Sequence, residues 1–150
     1  MQIEKPQTQD NVEIILRGPD GKIKQRETIH NLIVTVGVNA IVEQLVAAPA
    51  IDPPTHMGIG TGSTAPAAGQ TALSGTELDR NAFTSKNRSG AVLTMVADWA
   101  AGDGTGAITE AGIFNAASTG DMYARATFSA INKAAGDTLQ ITWTFTLSAT

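Results

Sequence analysis

The chain has 150 residues, a formal net charge of −4 and no cysteine, which excludes disulfides, thiolate metal sites and thiol nucleophiles. Hydrophobic residues make up 42% of it, which suits one domain with a buried core, and the lack of a Lys/Arg run argues against direct nucleic-acid binding. Only 16% of the residues are charged, against about a quarter in a typical domain, which predicts that neighbouring subunits cover part of the surface.

The first ten residues, MQIEKPQTQD, offer little to a hydrophobic core. Two interpretations are open for residues 1–10: a frayed terminus, or an extended arm that contacts a neighbouring subunit through Gln2, Ile3, Lys5 and Pro6. The segment lacks the hydrophobic region of a secretion signal, and no apolar stretch of the chain is long enough to cross a membrane. We therefore expect a protein that is made in a cytoplasm and leaves it, if at all, by cell lysis.

Residues 11–150 are predicted to form a single β-rich domain that begins with a hairpin. The runs VEIILR (12–17) and KIKQRETI (22–29) flank a Gly-Pro-Asp-Gly turn. A strand follows at 32–36, and the next apolar residues recur every three or four positions, which predicts one α-helix over about 36–48. The residues expected on one face of that helix are Val38, Ile41, Val42, Leu45 and Val46.

The stretch MGIGTGSTAP, residues 57–66, contains three alternating glycines. A phosphate-binding P-loop needs a Lys before its Ser/Thr and a helix directly after it, and neither is present here. We interpret the stretch as the end of a short strand, where small residues allow a sharp bend or close backbone packing. It leads into a long loop over about 61–90, in which Thr61, Ser63 and Thr64 are candidate contacts with neighbouring subunits.

Four further strands, joined by turns rich in Gly and Asp, are predicted after this loop. The last of them, TLQITWTFTLS, alternates apolar and polar residues, which is typical of a strand with one buried face. The predicted fold class is mainly β: an antiparallel β-sandwich or barrel of about seven strands with one α-helix.

No group of residues has the spacing of a catalytic, cofactor-binding or metal-binding site, so we expect no enzyme, no cofactor and no metal. The turn GDGTG supplies only Asp103 to a cation. Glu110 stands in an otherwise apolar strand, where it either forms an ion pair with Arg125 on the following strand or faces outward. The aromatic residues, including Trp99 and Trp143, lie at spacings expected of core positions.

Three segments, in this order, resemble a group of small structural proteins of tailed bacteriophages: HNLIVTVGVNAIVEQLV; MGIGTGSTAPAAGQTAL with a later ELDR; and ITEAGIFNA with a later GDMYARATFSAINKAAGDTLQITWTFTLS. The likeness covers about residues 29–148. It implies a virion component that acts through its surfaces: a capsid decoration (cement) protein, or alternatively a tail, neck or collar fibre component. Decoration proteins typically form trimers on the outer head surface, so the resemblance implies a homotrimer bound to the major capsid protein, or to tail or neck proteins in the alternative.

Two other classes of function are alternatives to a structural virion protein. A carbohydrate-binding module needs exposed aromatic side chains, for which Trp99 and Trp143 are the candidates. An enzyme needs a convergent pair of polar groups, for example His56 and Glu110 in one pocket.

Overall fold

A computed structural model describes residues 11–147. Over this range the chain forms one α-helix, α1 (Thr35–Glu43), and ten β-strands. The strands are β1 (Asn11–Arg17), β2 (Ile23–His30), β3 (Leu32–Ile33), β4 (His56–Gly60), β5 (Glu77–Ala82), β6 (Ser85–Ser89), β7 (Val92–Trp99), β8 (Gly106–Phe114), β9 (Met122–Lys133) and β10 (Thr138–Thr146). The suggested arm with Gln2, Ile3, Lys5 and Pro6 lies outside the described residues.

The strands form two antiparallel five-stranded sheets. The first sheet has the order β2-β1-β10-β7-β6 and the second has the order β3-β9-β8-β4-β5, and neither closes into a barrel. The predicted mainly β fold with one helix is therefore confirmed, as a sandwich and not a barrel, and the described residues form ten strands where about seven were predicted. Among the described residues, no helix has the length and apolar character needed to span a bilayer.

The core lies between the two sheets and follows from the alternation of apolar residues along the strands. In the first sheet, β1 and β10 pair in a register that sets apolar side chains opposite one another: Val12 beside Trp143, Ile14 beside Ile141, and Leu16 beside Leu139. The second sheet contributes inward rows from β4, β8 and β9, namely Met57, Ile59, Ala111, Ile113, Ala124 and Ala126. Burial of these rows supplies the main free energy of folding.

The prediction of one long loop over 61–90 is wrong for the second half of that range. The polar run that follows residue 76 forms β5 and β6, so the irregular segment is the loop 61–76. Both strands lie at sheet edges, β5 in the second sheet and β6 in the first. An edge strand has a partner on one side only and tolerates polar and charged side chains, so its sequence lacks a clear apolar alternation.

Helix α1 is shorter than the predicted helix over 36–48, and the strand predicted at 32–36 is reduced to the two residues of β3. Residues 44–50 form turns, and two side chains hold them. The amide of Gln44 donates to the carbonyl oxygens of Ala40 and Ile51, at 3.3 and 2.7 Å, and the carboxylate of Glu43 accepts from the backbone N–H of Ala50 at 2.9 Å. The apolar periodicity continues past residue 43, but these bonds turn the chain back toward the sandwich.

Helix α1 packs closely against β9. Gly37 and Ala40 are its buried residues, and Gly37 lies directly on the backbone carbonyl of Tyr123. A Cβ at position 37 would overlap that carbonyl group. The helix is therefore positioned by a contact that only glycine permits.

Replacing Gly37 with Ala should lower the free energy of unfolding by about 1–3 kcal/mol, because overpacking against β9 outweighs the gain in helix propensity of about 1 kcal/mol. The matched control is Asn39→Ala, which lies on the same helix but is exposed and should be neutral or slightly stabilising. Urea unfolding of both variants measures the difference. A Gly37→Ala variant more stable than the wild type would show that helix propensity outweighs the packing against β9 at position 37.

Candidate functional site

Glu110 is fully buried, and both oxygens of its carboxylate accept hydrogen bonds from the loop 61–76. Oε1 accepts from the backbone N–H groups of Gly62 and Gly75, at 2.8 and 2.9 Å. Oε2 accepts from the backbone N–H of Ser74 at 2.9 Å. The carboxylate therefore joins the two ends of the loop to the middle of β8.

Arg125 completes this arrangement from the neighbouring strand β9. Its Nε and Nη2 lie 2.9 and 2.7 Å from Glu110 Oε2, and it is as fully buried as its partner. Its remaining donors also bond to the loop: Nη1 to the Thr64 carbonyl oxygen at 2.7 Å and to Gln70 Oε1 at 3.0 Å, and Nη2 to Ser74 Oγ at 2.7 Å. The predicted ion pair is thus confirmed, and its additional role is to hold the loop 61–76 on the sheet.

The alternating glycines have a structural explanation in this contact. Gly62 and Gly75 pack backbone against backbone, and a Cβ on either one would overlap the other. A Cβ on Gly60 would lie 2.8 Å from Glu110 Oε1 and 2.9 Å from the carbonyl oxygen of Thr76. The expectation that small residues allow close backbone packing here is confirmed.

The electrostatics of Glu110 favour its charged form. Burial raises the pKa of its carboxyl group, but the backbone N–H groups of Ser74 and Gly75, the Arg125 guanidinium and the N–H of Gly62 together outweigh burial and bring the pKa below its ordinary value. The pair is therefore a salt bridge in which the carboxylate also accepts hydrogen bonds from the loop and the guanidinium also donates hydrogen bonds to it. A buried ion pair needs such compensation, since the loss of hydration costs several kcal/mol per ion.

The loop also supports the start of the helix. The carbonyl oxygen of Ala68 accepts from the backbone N–H of Thr35 at 2.8 Å, and Leu73 and Val36 both pack against the small apolar cluster that includes Phe114. The position of the helix therefore depends on the loop, and the position of the loop depends on the Glu110–Arg125 pair.

The three loop residues expected to contact neighbouring subunits are exposed. Thr61, Ser63 and Thr64 all lie on the solvent side of the loop, while Gly62 between them is buried. Thr61 is held by two bonds to Thr76: its N–H donates to the Thr76 carbonyl oxygen at 3.1 Å, and its hydroxyl accepts from the Thr76 N–H at 3.2 Å. The structure contains no partner chain, so their role in contact remains a prediction.

Helix α1 and the turn after it expose four of the five apolar side chains that the sequence pattern places on one helical face. Val38, Val42, Leu45 and Val46 are 50, 60, 84 and 49% exposed, and the residues 47–50 that follow are exposed as well. We call these residues, Val38, Val42 and 45–50, the α1 face. The predicted helical face holds for Val38, Ile41 and Val42, whereas Leu45 and Val46 lie after the end of α1. The fully buried residues of the helix are Gly37 and Ala40, which the apolar periodicity did not indicate.

An apolar groove of about 320 Å³ lies beside this helix. Ile33, Ile41, Leu93, Phe145 and Leu147 contribute to its walls. Leu147 is itself 48% exposed. Apolar surface is therefore concentrated at this end of the sandwich.

The residues considered for other functions do not come together. Trp99 and Trp143 are 1 and 0% exposed, so neither ring is available to stack on a sugar. His56 begins β4 and pairs with Phe114 of β8, whereas Glu110 of β8 pairs with Gly60 at the other end of β4, so the two side chains do not share one site. Between residues 11 and 147, no three His, Asp or Glu side chains form a group that could hold a metal ion.

Comparison of the chain with models of protein families, with curated proteins and with solved structures finds no match. The likeness to phage structural proteins therefore rests on the sequence segments alone.

A substitution at Gly62 should release the loop. Gly62→Ala places a methyl group against Gly75 and Ser74, and we expect a loss of at least about 2 kcal/mol in the free energy of unfolding, together with faster cleavage of the loop by thermolysin. The matched control is Gly69→Ala in the same loop, where a Cβ meets no atom within 4 Å. That variant should stay within about 0.5 kcal/mol of the wild type. Equal behaviour of the two variants would contradict the close-packing explanation.

Removing the charge of Glu110 should be strongly destabilising. Glu110→Gln turns an N–H donor toward N–H donors and leaves Arg125 buried without a counter-ion, so we expect a loss of about 3–5 kcal/mol in urea unfolding at neutral pH. The control is Glu77→Gln, which removes the pair with Arg80 at 2.7 Å from a side chain that is 33% exposed. Its loss should not exceed about 1 kcal/mol.

The Glu110→Gln variant also tests how the free energy of unfolding depends on pH. The folded-state pKa of Glu110 is lowered, so the unfolded chain takes up the proton first as the pH falls. The stabilisation is complete above the ordinary pKa of a glutamate, about 4.3, and is lost as the pH falls through the lower folded-state pKa. The wild type should therefore lose more stability between about pH 6 and pH 3 than Glu110→Gln does. Equal losses of stability in the wild type and in Glu110→Gln over this pH range would contradict a lowered folded-state pKa of Glu110.

Proposed function

We propose that this protein is a structural component of a tailed-bacteriophage virion, and specifically a capsid decoration (cement) protein. It binds the major capsid protein on the outer head surface as a homotrimer, after synthesis in the host cytoplasm. The observation that carries the proposal is the exposed, uncharged α1 face on a rigid β-sandwich. Contiguous apolar surface of this kind is typical of interaction sites.

The energetics suit a protein that is bound by many weak contacts. Complete burial of one Val or Leu side chain contributes about 1.5–3 kcal/mol, so covering the four half-exposed side chains of α1 and its C-terminal turn gives roughly 3–6 kcal/mol per subunit. Association itself costs about 4–15 kcal/mol, so one such contact is insufficient by itself. A trimer that adds further contacts with the capsid overcomes this cost by summing several surfaces.

The loop 61–76 is suited to be one of those further contacts. Thr61, Ser63 and Thr64 are exposed on a backbone that the buried ion pair already holds in place. A surface that is ordered before binding loses little conformational entropy when it binds. We assign these three residues to the contact with the major capsid protein.

The experiment is a capsid co-sedimentation assay combined with a copy count. Purified chain should sediment with preformed capsids, and quantitative gels of virions should give a copy number set by the capsid geometry. Ser63→Arg should weaken capsid binding, whereas Ser118→Arg, an exposed position in the β8–β9 turn, should not. Co-purification with tails at a dozen or fewer copies per virion would contradict the decoration role and support the tail, neck or collar alternative.

A further inference from the structure

We propose that the α1 face is the surface through which copies of this chain bind one another. The face thereby supplies the contact that the proposed homotrimer needs, and in that respect the assignment rests on the proposed function. The loop residues Thr61, Ser63 and Thr64 then remain available for a different partner.

The first observation is that the helix is apolar on both sides. Its inner side, with Gly37 and Ala40, is buried against its own domain, and its outer side carries Val38 and Val42. The chain continues with the apolar run LVAAPA at 45–50, all of it exposed. One stripe of the helix is polar, with Thr35, Asn39 and Glu43 spaced four residues apart, but the outer apolar side is left uncovered in the single chain, as is typical of an interaction site.

The second observation is that the rest of the chain is poorly suited to provide this cover. The residues outside the described range are MQIEKPQTQD at 1–10 and SAT at 148–150. Their only large apolar side chains are Met1 and Ile3. Two such side chains are few beside the apolar content of the α1 face, so these two segments are poor candidates for its cover.

The third observation is the charge of the face, which favours a second copy over an unrelated protein. Between residues 35 and 51 the only ionisable side chain is Glu43, and its carboxylate is engaged by the N–H of Ala50. Permanent interfaces between identical subunits are more apolar and poorer in charge than interfaces that form and dissociate. An uncharged face can also meet its own copy across a rotation axis without repulsion between like charges.

The test is the oligomeric state of the purified full-length chain, measured by sedimentation velocity over a range of concentrations. The wild type should form an oligomer, and Leu45→Glu should shift it to monomer with at least a ten-fold weaker association. Leu45 is 84% exposed, so its replacement leaves the fold of the domain intact, which circular dichroism and thermal melting verify. Val42→Glu, on the helix itself, should act in the same direction.

The matched control is Ile23→Glu, which places the same charge on an exposed apolar residue of β2, 43% exposed, outside the α1 face. This variant should associate like the wild type. A monomeric wild-type chain overturns the assignment, and so does an oligomer that both α1-face variants leave unchanged. A chain that self-associates through the face but does not bind capsids contradicts the decoration role and supports the assignment of the face. A monomer that decorates capsids contradicts the assignment of the face and the homotrimer, but not the decoration role.

Discussion

The buried pair of Glu110 and Arg125 is the interaction on which the irregular part of this structure depends. The loop 61–76 has few large apolar side chains, so burial alone does not hold it on the sheet. Three backbone N–H groups of the loop donate to the carboxylate, and three oxygen atoms of the loop accept from the guanidinium. Each charge offsets the desolvation cost of the other, and removal of either one leaves an uncompensated ion in the interior.

The consequences of this pair extend to the helix. The loop accepts a hydrogen bond from the first residue of α1, Thr35, and its Leu73 packs against the same apolar cluster as Val36. On its other side the helix touches β9 through Gly37, where no side chain fits. The helix is thus held from two directions with its apolar outer side exposed. That exposure is unfavourable for an isolated chain and becomes favourable when a second surface covers it, which is the physical basis of both proposals.

The sequence predicted part of the candidate site. Apolar spacing indicated the helix, the odd position of Glu110 in an apolar strand indicated its partner Arg125, and the low charge content indicated covered surface. It could not show that the carboxylate reaches Gly62 and Gly75, because those residues lie far from Glu110 along the chain and no short-range pattern connects them. It grouped Val42 and Leu45 on one face of the helix but could not show that they are exposed, since apolar spacing does not tell which side of a helix packs on its own domain.

The sequence by itself determined the mainly β class with one helix, because alternation along β7 and β10 fixes which side chains face inward, and Gly/Asp turns mark where strands reverse. It left a sandwich and a barrel open, and the two separate sheets decide for the sandwich. Only the tertiary structure decided which segments form the edge strands and which apolar side chains stay exposed. Strands β5 and β6 are polar and form because each has a neighbour to pair with, which is a property of the assembled sheets. The exposed side of α1 was likewise decided by the contact of Gly37 with β9, since a close backbone approach is specified by both partners together and by neither segment alone.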